Sequence, residues 1–140
     1  MVPRMPKFTD IVKVDDRGRI VIPGSTRKLL KLLPGTKLMM VVEEEKNEIV
    51  MTPFLGNAAR PIKMRIVMND KKGSLAEIAS IISSMGINMM YTEVHSIQSG
   101  KAEWTAIADI AGAREGLTPG EIKQKILECD VAVEADISDY

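Results

Sequence analysis

Apolar and polar residues alternate from position 62, where Ile62, Met64, Ile66 and Met68 interleave with Lys63, Arg65, Val67 and Asn69. A period of two predicts a half-buried strand. Beyond it the period lengthens: Leu75, Ile78, Ala79, Ile82 and Met85 recur at helical spacing. The pair Ser74 and Glu77 is a capping box that places the start of this helix, and Gly86 places its end. A strand is expected over 87–97, a turn at Ser99-Gly100, and then a strand with Ala102, Trp104, Ala106, Ala108 and Ile110 on one face. Residues 112–116 break the chain. Thr118-Pro119-Gly120-Glu121 is a second capping box, with proline at the first helical position, and its helix carries Ile122, Ile126 and Leu127. Val131, Val133, Ala135 and Ile137 supply a last strand.

The order β-α-β-β-α-β predicts a ferredoxin-like sheet of four antiparallel strands with both helices on one face. The first third of the chain is patterned differently, in shorter pieces. Strands are expected over 8–14 and 19–22, on either side of a turn at Asp16-Arg17-Gly18, with Pro23 closing the second. A short helix over 25–33 has Leu29, Leu32 and Leu33 on its apolar face, and Pro34-Gly35 ends it. A hairpin follows, with strands 37–42 and 48–52 flanking 43–47 and Asn47 at the turn. Gly56-Asn57-Ala58-Ala59-Arg60-Pro61 is small, polar and closed by proline. Two domains are therefore expected, 8–55 and 62–137, joined by a linker over 56–61, in the α+β class. About 45 residues without a disulfide bury too little surface alone, so the first domain calls for a second copy of itself.

Charge sharpens the division. The formal net charge is zero, but residues 1–42 carry nine Lys/Arg against three Asp/Glu, and residues 56–140 carry nine against twelve. The basic excess gathers at Arg17, Arg19, Arg27, Lys28 and Lys31, with the acids Glu43, Glu44, Glu45 and Glu48 coming later. A concentrated positive patch on a small scaffold is the electrostatic footprint of a nucleic-acid binder. Met1–Lys7, with Pro3, Pro6, Arg4 and Lys7, reads as a loose basic arm.

The run Val12-Lys13-Val14-Asp15-Asp16-Arg17-Gly18-Arg19-Ile20-Val21-Ile22-Pro23, continuing to Arg27-Lys28-Leu29-Leu30 and Pro34-Gly35, closely resembles the AbrB-type (SpoVT/AbrB-like) swapped-hairpin family. That family includes transcription factors and the DNA-binding halves of some antitoxins. The resemblance implies that hairpins from two chains interleave into a swapped-hairpin β-barrel and an obligate homodimer. It also implies contact with double-stranded DNA through Arg19, Arg27 and Lys28, with Lys13 at a basic position on the first strand and Arg17 adding to the patch. Lys28 stands where arginine is frequent; lysine neutralises a phosphate but lacks the planar fork that reads guanine.

The stretch Arg65-Ile66-Val67-Met68-Asn69-Asp70, through Gly73-Ser74-Leu75-Ala76-Glu77-Ile78 to Gly86-Ile87-Asn88-Met89, resembles the ACT family of small-molecule-sensing domains. Members often bind amino acids between paired domains. The helix beginning at Ser74 offers free N–H groups and a positive dipole end suited to a carboxylate. Gly73 lets a ligand approach the backbone, with Leu75 beside it in the first turn. Asn69 and Asp70 could hold an ammonium group, and Asn88 and Met89 of a facing domain could close the site. Pairing of these domains beyond the first dimer would give tetramers. Lys72 departs from the proline frequent in such loops.

Catalysis finds no support. His95 is the single histidine, with Glu93 two residues away, and Cys129 is the single cysteine, which excludes an intramolecular disulfide and leaves a zinc cluster unsupported. Phosphate-binding glycine loops and nucleophile motifs are absent. No enzyme, metal or other cofactor is expected. The apolar runs are too short to span a membrane, and a cytoplasmic protein is expected. The function that follows is a DNA-binding transcription regulator whose second domain senses a small molecule, an amino acid first. Alternatives are a regulatory subunit of an amino-acid metabolic enzyme and an antitoxin-like interaction protein.

Overall fold

A computed structural model describes residues 8–54, 56, 58–98 and 100–140. The basic arm expected over Met1–Lys7 lies outside the described residues, as do Asn57 of the expected linker and Ser99 of the expected turn. The chain divides into two compact units, Met1–Asn57 and Ala58–Tyr140.

The first unit contains helix α1 (Gly24–Leu29) and strands β1 (Leu38–Glu43) and β2 (Glu48–Pro53). The two strands form an antiparallel hairpin, from Leu38 opposite Pro53 to Glu43 opposite Glu48, turned by Asn47 at φ 53°. The strands expected over 8–14 and 19–22 join no sheet. A strand is stabilised by a row of partner groups, and the β1–β2 hairpin offers these residues none. The helix expected over 25–33 stops at Leu29, because Lys31 takes the left-handed conformation at φ 55°. Its expected apolar face is consequently open, with Leu29 and Leu33 exposed. Among the described residues of this unit only Met39 and Phe54 are buried apolar side chains, and Ile11 is 96% exposed.

The second unit contains β3 (Pro61–Asn69), α2 (Ser74–Ser84), β4 (Asn88–Gln98), β5 (Lys101–Asp109), α3 (Pro119–Leu127) and β6 (Ala132–Asp139). Its sheet runs β4-β5-β3-β6, every neighbouring pair antiparallel. One core lies between sheet and helices: Ile62, Met64 and Ile66 from β3, Trp104 and Ala106 from β5, Ile78 and Ile82 from α2, Ile122 and Ile126 from α3.

Three apolar positions depart from the sequence pattern. The buried stripe of α2 runs Ser74, Ile78, Ile82 at four-residue steps, which turns Leu75 out to 42% exposure. The stripe of α3 is Ile122 and Ile126, so Leu127, one residue further round, faces out. In β6 the ladder passes from Val67–Glu134 to Met68–Ala132, skipping Val133 as a bulge and exposing it.

The two capping boxes also differ. Thr118 caps α3 by accepting from the Glu121 N–H at 3.2 Å, while the Glu121 carboxylate turns to Arg114 instead of closing the box. Ser74 caps nothing. Gly73, left-handed at φ 90°, is the cap residue, so Ser74 becomes the first helical residue, one position too late. Its hydroxyl is buried without a hydrogen-bond partner.

Candidate functional site

The basic turn of the first unit is built on one carboxylate. Asp15 Oδ1 accepts from the N–H groups of Arg17 (2.9 Å) and Arg19 (2.8 Å), and its Oδ2 accepts from Arg19 Nε at 2.7 Å. Asp15 N–H donates to the Arg19 carbonyl at 2.9 Å, and Gly18 N–H to the Asp15 carbonyl at 3.1 Å. Gly18 sits at φ 76°, where a side chain would be strained, so the sequence Asp-Arg-Gly-Arg folds back on itself. The Arg19 backbone N–H first, then its guanidinium, hold the Asp15 carboxyl below its ordinary value.

The expected cations fall into two groups. Arg19 and Arg27 are tethered through Nε, Arg27 to the Ile22 carbonyl at 3.1 Å. The side chains of Lys13, Arg17 and Lys28 are exposed and make no ion pair or hydrogen bond among the described residues. Arg27 and Lys28 also edge an open groove of about 650 Å³ beside α1, floored by Leu32 and Leu33. Five cations therefore face solvent on one small unit, and among the described residues the only carboxylate engaging any of them is that of Asp15.

In the second unit, Asn69 to Ser74 form the loop from β3 into α2. Asp70 N–H donates to the Gly100 carbonyl at 2.8 Å, and Asp70 Oδ2 accepts from Ser96 Oγ at 3.3 Å. Ser96 is a residue the sequence pattern did not single out; it lies 26 positions away, and the β4–β5 and β3–β5 registers together bring it near. A Cβ built on Gly73 would meet nothing within 4 Å, so the backbone there is open to close approach. Leu75 is exposed beside it. Asn88 and Met89 are not part of this cluster. They start β4, at the opposite end of the sheet, where the Asn88 side chain donates to Met90 Sδ at 3.6 Å.

His95 Nε2 lies 3.0 Å from Glu93 Oε1. No group of three or more His, Cys, Asp or Glu side chains among the described residues is arranged to hold a metal ion. Burial pushes the Cys129 thiol above its ordinary pKa, and the neighbouring Glu77 adds to this. Among the described residues, no helix is long and apolar enough to cross a membrane.

No family model and no curated protein matches the chain. Solved structures similar to it include the ACT domain from GTP pyrophosphokinase of Chlorobium tepidum, at 15% identity and a TM-score of 0.47, over 57% of this chain and 99% of that one. The C-terminal domain of the MgtC protein from Mycobacterium tuberculosis is similar at 14% identity and a TM-score of 0.47, over 62% and 94%. An ACT domain protein from Streptococcus pneumoniae follows at 15% identity and 0.43, over 58% and 90%.

Proposed function

We propose that the chain is a homodimeric DNA-binding transcription regulator, and that its second unit senses a small molecule, an amino acid first. The observation that carries this is the cationic turn and helix: Lys13, Arg17, Arg19, Arg27 and Lys28 are each exposed, three of them with no side-chain partner among the described residues. Duplex DNA is the polyanion such a surface fits, with phosphate contacts supplying most of the affinity and salt dependence.

The dimer is supported by what the first unit leaves uncovered. A unit that buries Met39 and Phe54 while exposing Ile11, Val14, Val21 and Leu33 has apolar surface in need of a partner. Residues 8–14 and 19–22 join no sheet within one chain, and a second copy of the same hairpin supplies partner rows. This is the swapped-hairpin barrel of the AbrB-like family that the sequence resembles.

The sensing role rests on the ACT-like stretch of sequence and on the open backbone at Gly73, next to the N-terminus of α2. A ligand that preferred one arrangement of two second units would shift the DNA-binding equilibrium by that difference in affinity. An enzyme's regulatory subunit, the competing function, would have no use for five solvent-facing cations.

Fluorescence anisotropy of the full chain on a labelled duplex from its own upstream region tests the proposal. Binding that weakens on Arg19→Ala, and shifts with a pool of amino acids, is expected. No binding at low salt would reject the regulator in favour of the enzyme subunit.

A further inference from the structure

The Nε atoms of Arg19 and Arg27 are both occupied, and among the described residues both guanidiniums are left with their Nη groups free. For Arg19 the tether is an ion pair at 2.7 Å on a side chain that remains 67% exposed. An exposed arginine ordinarily samples many rotamers, and ordering it on binding costs affinity. Here the same carboxylate that closes the turn, through the Arg17 and Arg19 N–H groups, also fixes the guanidinium plane. The two Nη groups then project as a pre-set fork, the geometry that matches guanine O6 and N7 in the major groove.

Resting on the DNA-binding function above, we propose that Asp15 is a positioning residue that makes Arg19 a guanine reader, while the untethered Lys13, Arg17 and Lys28 serve the phosphates. Asp15 touches no DNA in this arrangement. Its negative charge opposes polyanion binding, so its presence beside the cations lowers sequence-independent affinity and raises discrimination. The two effects have opposite signs, and a residue that merely held the fold together would move both the same way.

The conservative variant separates them. In Asp15→Asn the amide oxygen can still accept from the Arg17 and Arg19 N–H groups, which keeps the turn. The amide nitrogen replaces Oδ2 and cannot accept from Arg19 Nε, which releases the guanidinium. The experiment is selection of binding sites from a random duplex library with the full-length protein, Asp15→Asn and Arg19→Lys. Titration of each on the selected duplex and on a scrambled one follows. The wild type is expected to select a fixed guanine in each half-site. Asp15→Asn is expected to lose about tenfold or more of that discrimination while binding the scrambled duplex as tightly or tighter. Arg19→Lys, which keeps the charge and removes the fork, should lose the same guanine.

Three results would overturn the inference: a selected site with no fixed guanine, guanine discrimination intact in Asp15→Asn, or specific and scrambled binding falling together in that variant. A wild type that retains no duplex at low salt rejects DNA binding itself, an outcome distinct from all three.

Discussion

Asn69 and Asn88 stand at opposite ends of the same sheet: Asn69 is opposite Lys101 at the start of β5, and Asn88 is opposite Asp109 at its end. At about 3.3 Å per residue these positions are separated by roughly 26 Å along the strand. Within one chain they cannot hold one amino acid. Two second units related by a two-fold axis, with their sheets running in opposite directions, would bring Asn69 of one beside Asn88 of the other. Asn69→Ala and Asn88→Ala should each weaken ligand binding by roughly tenfold or more, the loss of a hydrogen bond to a charged group. Co-refolding the two variants should restore one good site per pair, read by calorimetric stoichiometry with the amino acid that raises thermal stability. Stoichiometry unchanged by mixing would place the site within one chain.

The first unit should be stable only as an assembly. Ile20 follows the basic turn and lies on a segment without a ladder partner in one chain. Ile20→Asp is expected to raise the dissociation constant of the dimer by roughly a hundredfold or more, since a charge would enter an apolar contact. Light scattering and a concentration-dependent melting temperature measure this. A monomer with an unchanged, concentration-independent melt would remove the dimer from the account.

Two hydroxyls that look alike in sequence should behave differently. Thr118 caps α3, and Thr118→Ala should cost about 1 kcal/mol. The Ser74 hydroxyl is buried and unpartnered, so Ser74→Ala should cost less than about 0.5 kcal/mol or stabilise. Chemical denaturation of both variants decides it.

The Asp15 turn has a pH dependence with a definite sign. A carboxyl held below its ordinary value in the folded turn contributes stability above the unfolded pKa and loses it as pH falls through the folded one. Carboxyl-carbon NMR should give Asp15 a midpoint below that of a free aspartate, and Arg19→Ala should raise it. Opening of the turn at neutral pH, or an unshifted midpoint, would contradict the geometry.

The βαββαβ order of the second unit is legible in sequence because its periods are long and each break carries glycine or proline. What failed there failed locally: Ser74-x-x-Glu77 has the letters of a capping box, but the left-handed Gly73 moves the helix start by one residue. Val133 fits an alternating strand until the register with β3 forces a bulge. The first unit was less legible as a single chain, because residues 8–14 and 19–22 join no sheet in it and α1 buries none of its residues. The candidate site follows the same division. Its cations are evident from charge, whereas the Asp15 tether on Arg19 and the Ser96 bond to Asp70 depend on turn geometry and strand register.

The salt dependence of DNA affinity tests the central claim most directly. The logarithm of the binding constant should fall linearly with the logarithm of salt, at about −0.9 per phosphate contacted. Lys28→Ala, present twice in a dimer, should reduce that slope by about 2 without changing which sequence is preferred. Absence of binding at low salt, or a slope untouched by Lys28→Ala and Lys13→Ala alike, would contradict DNA recognition through this surface.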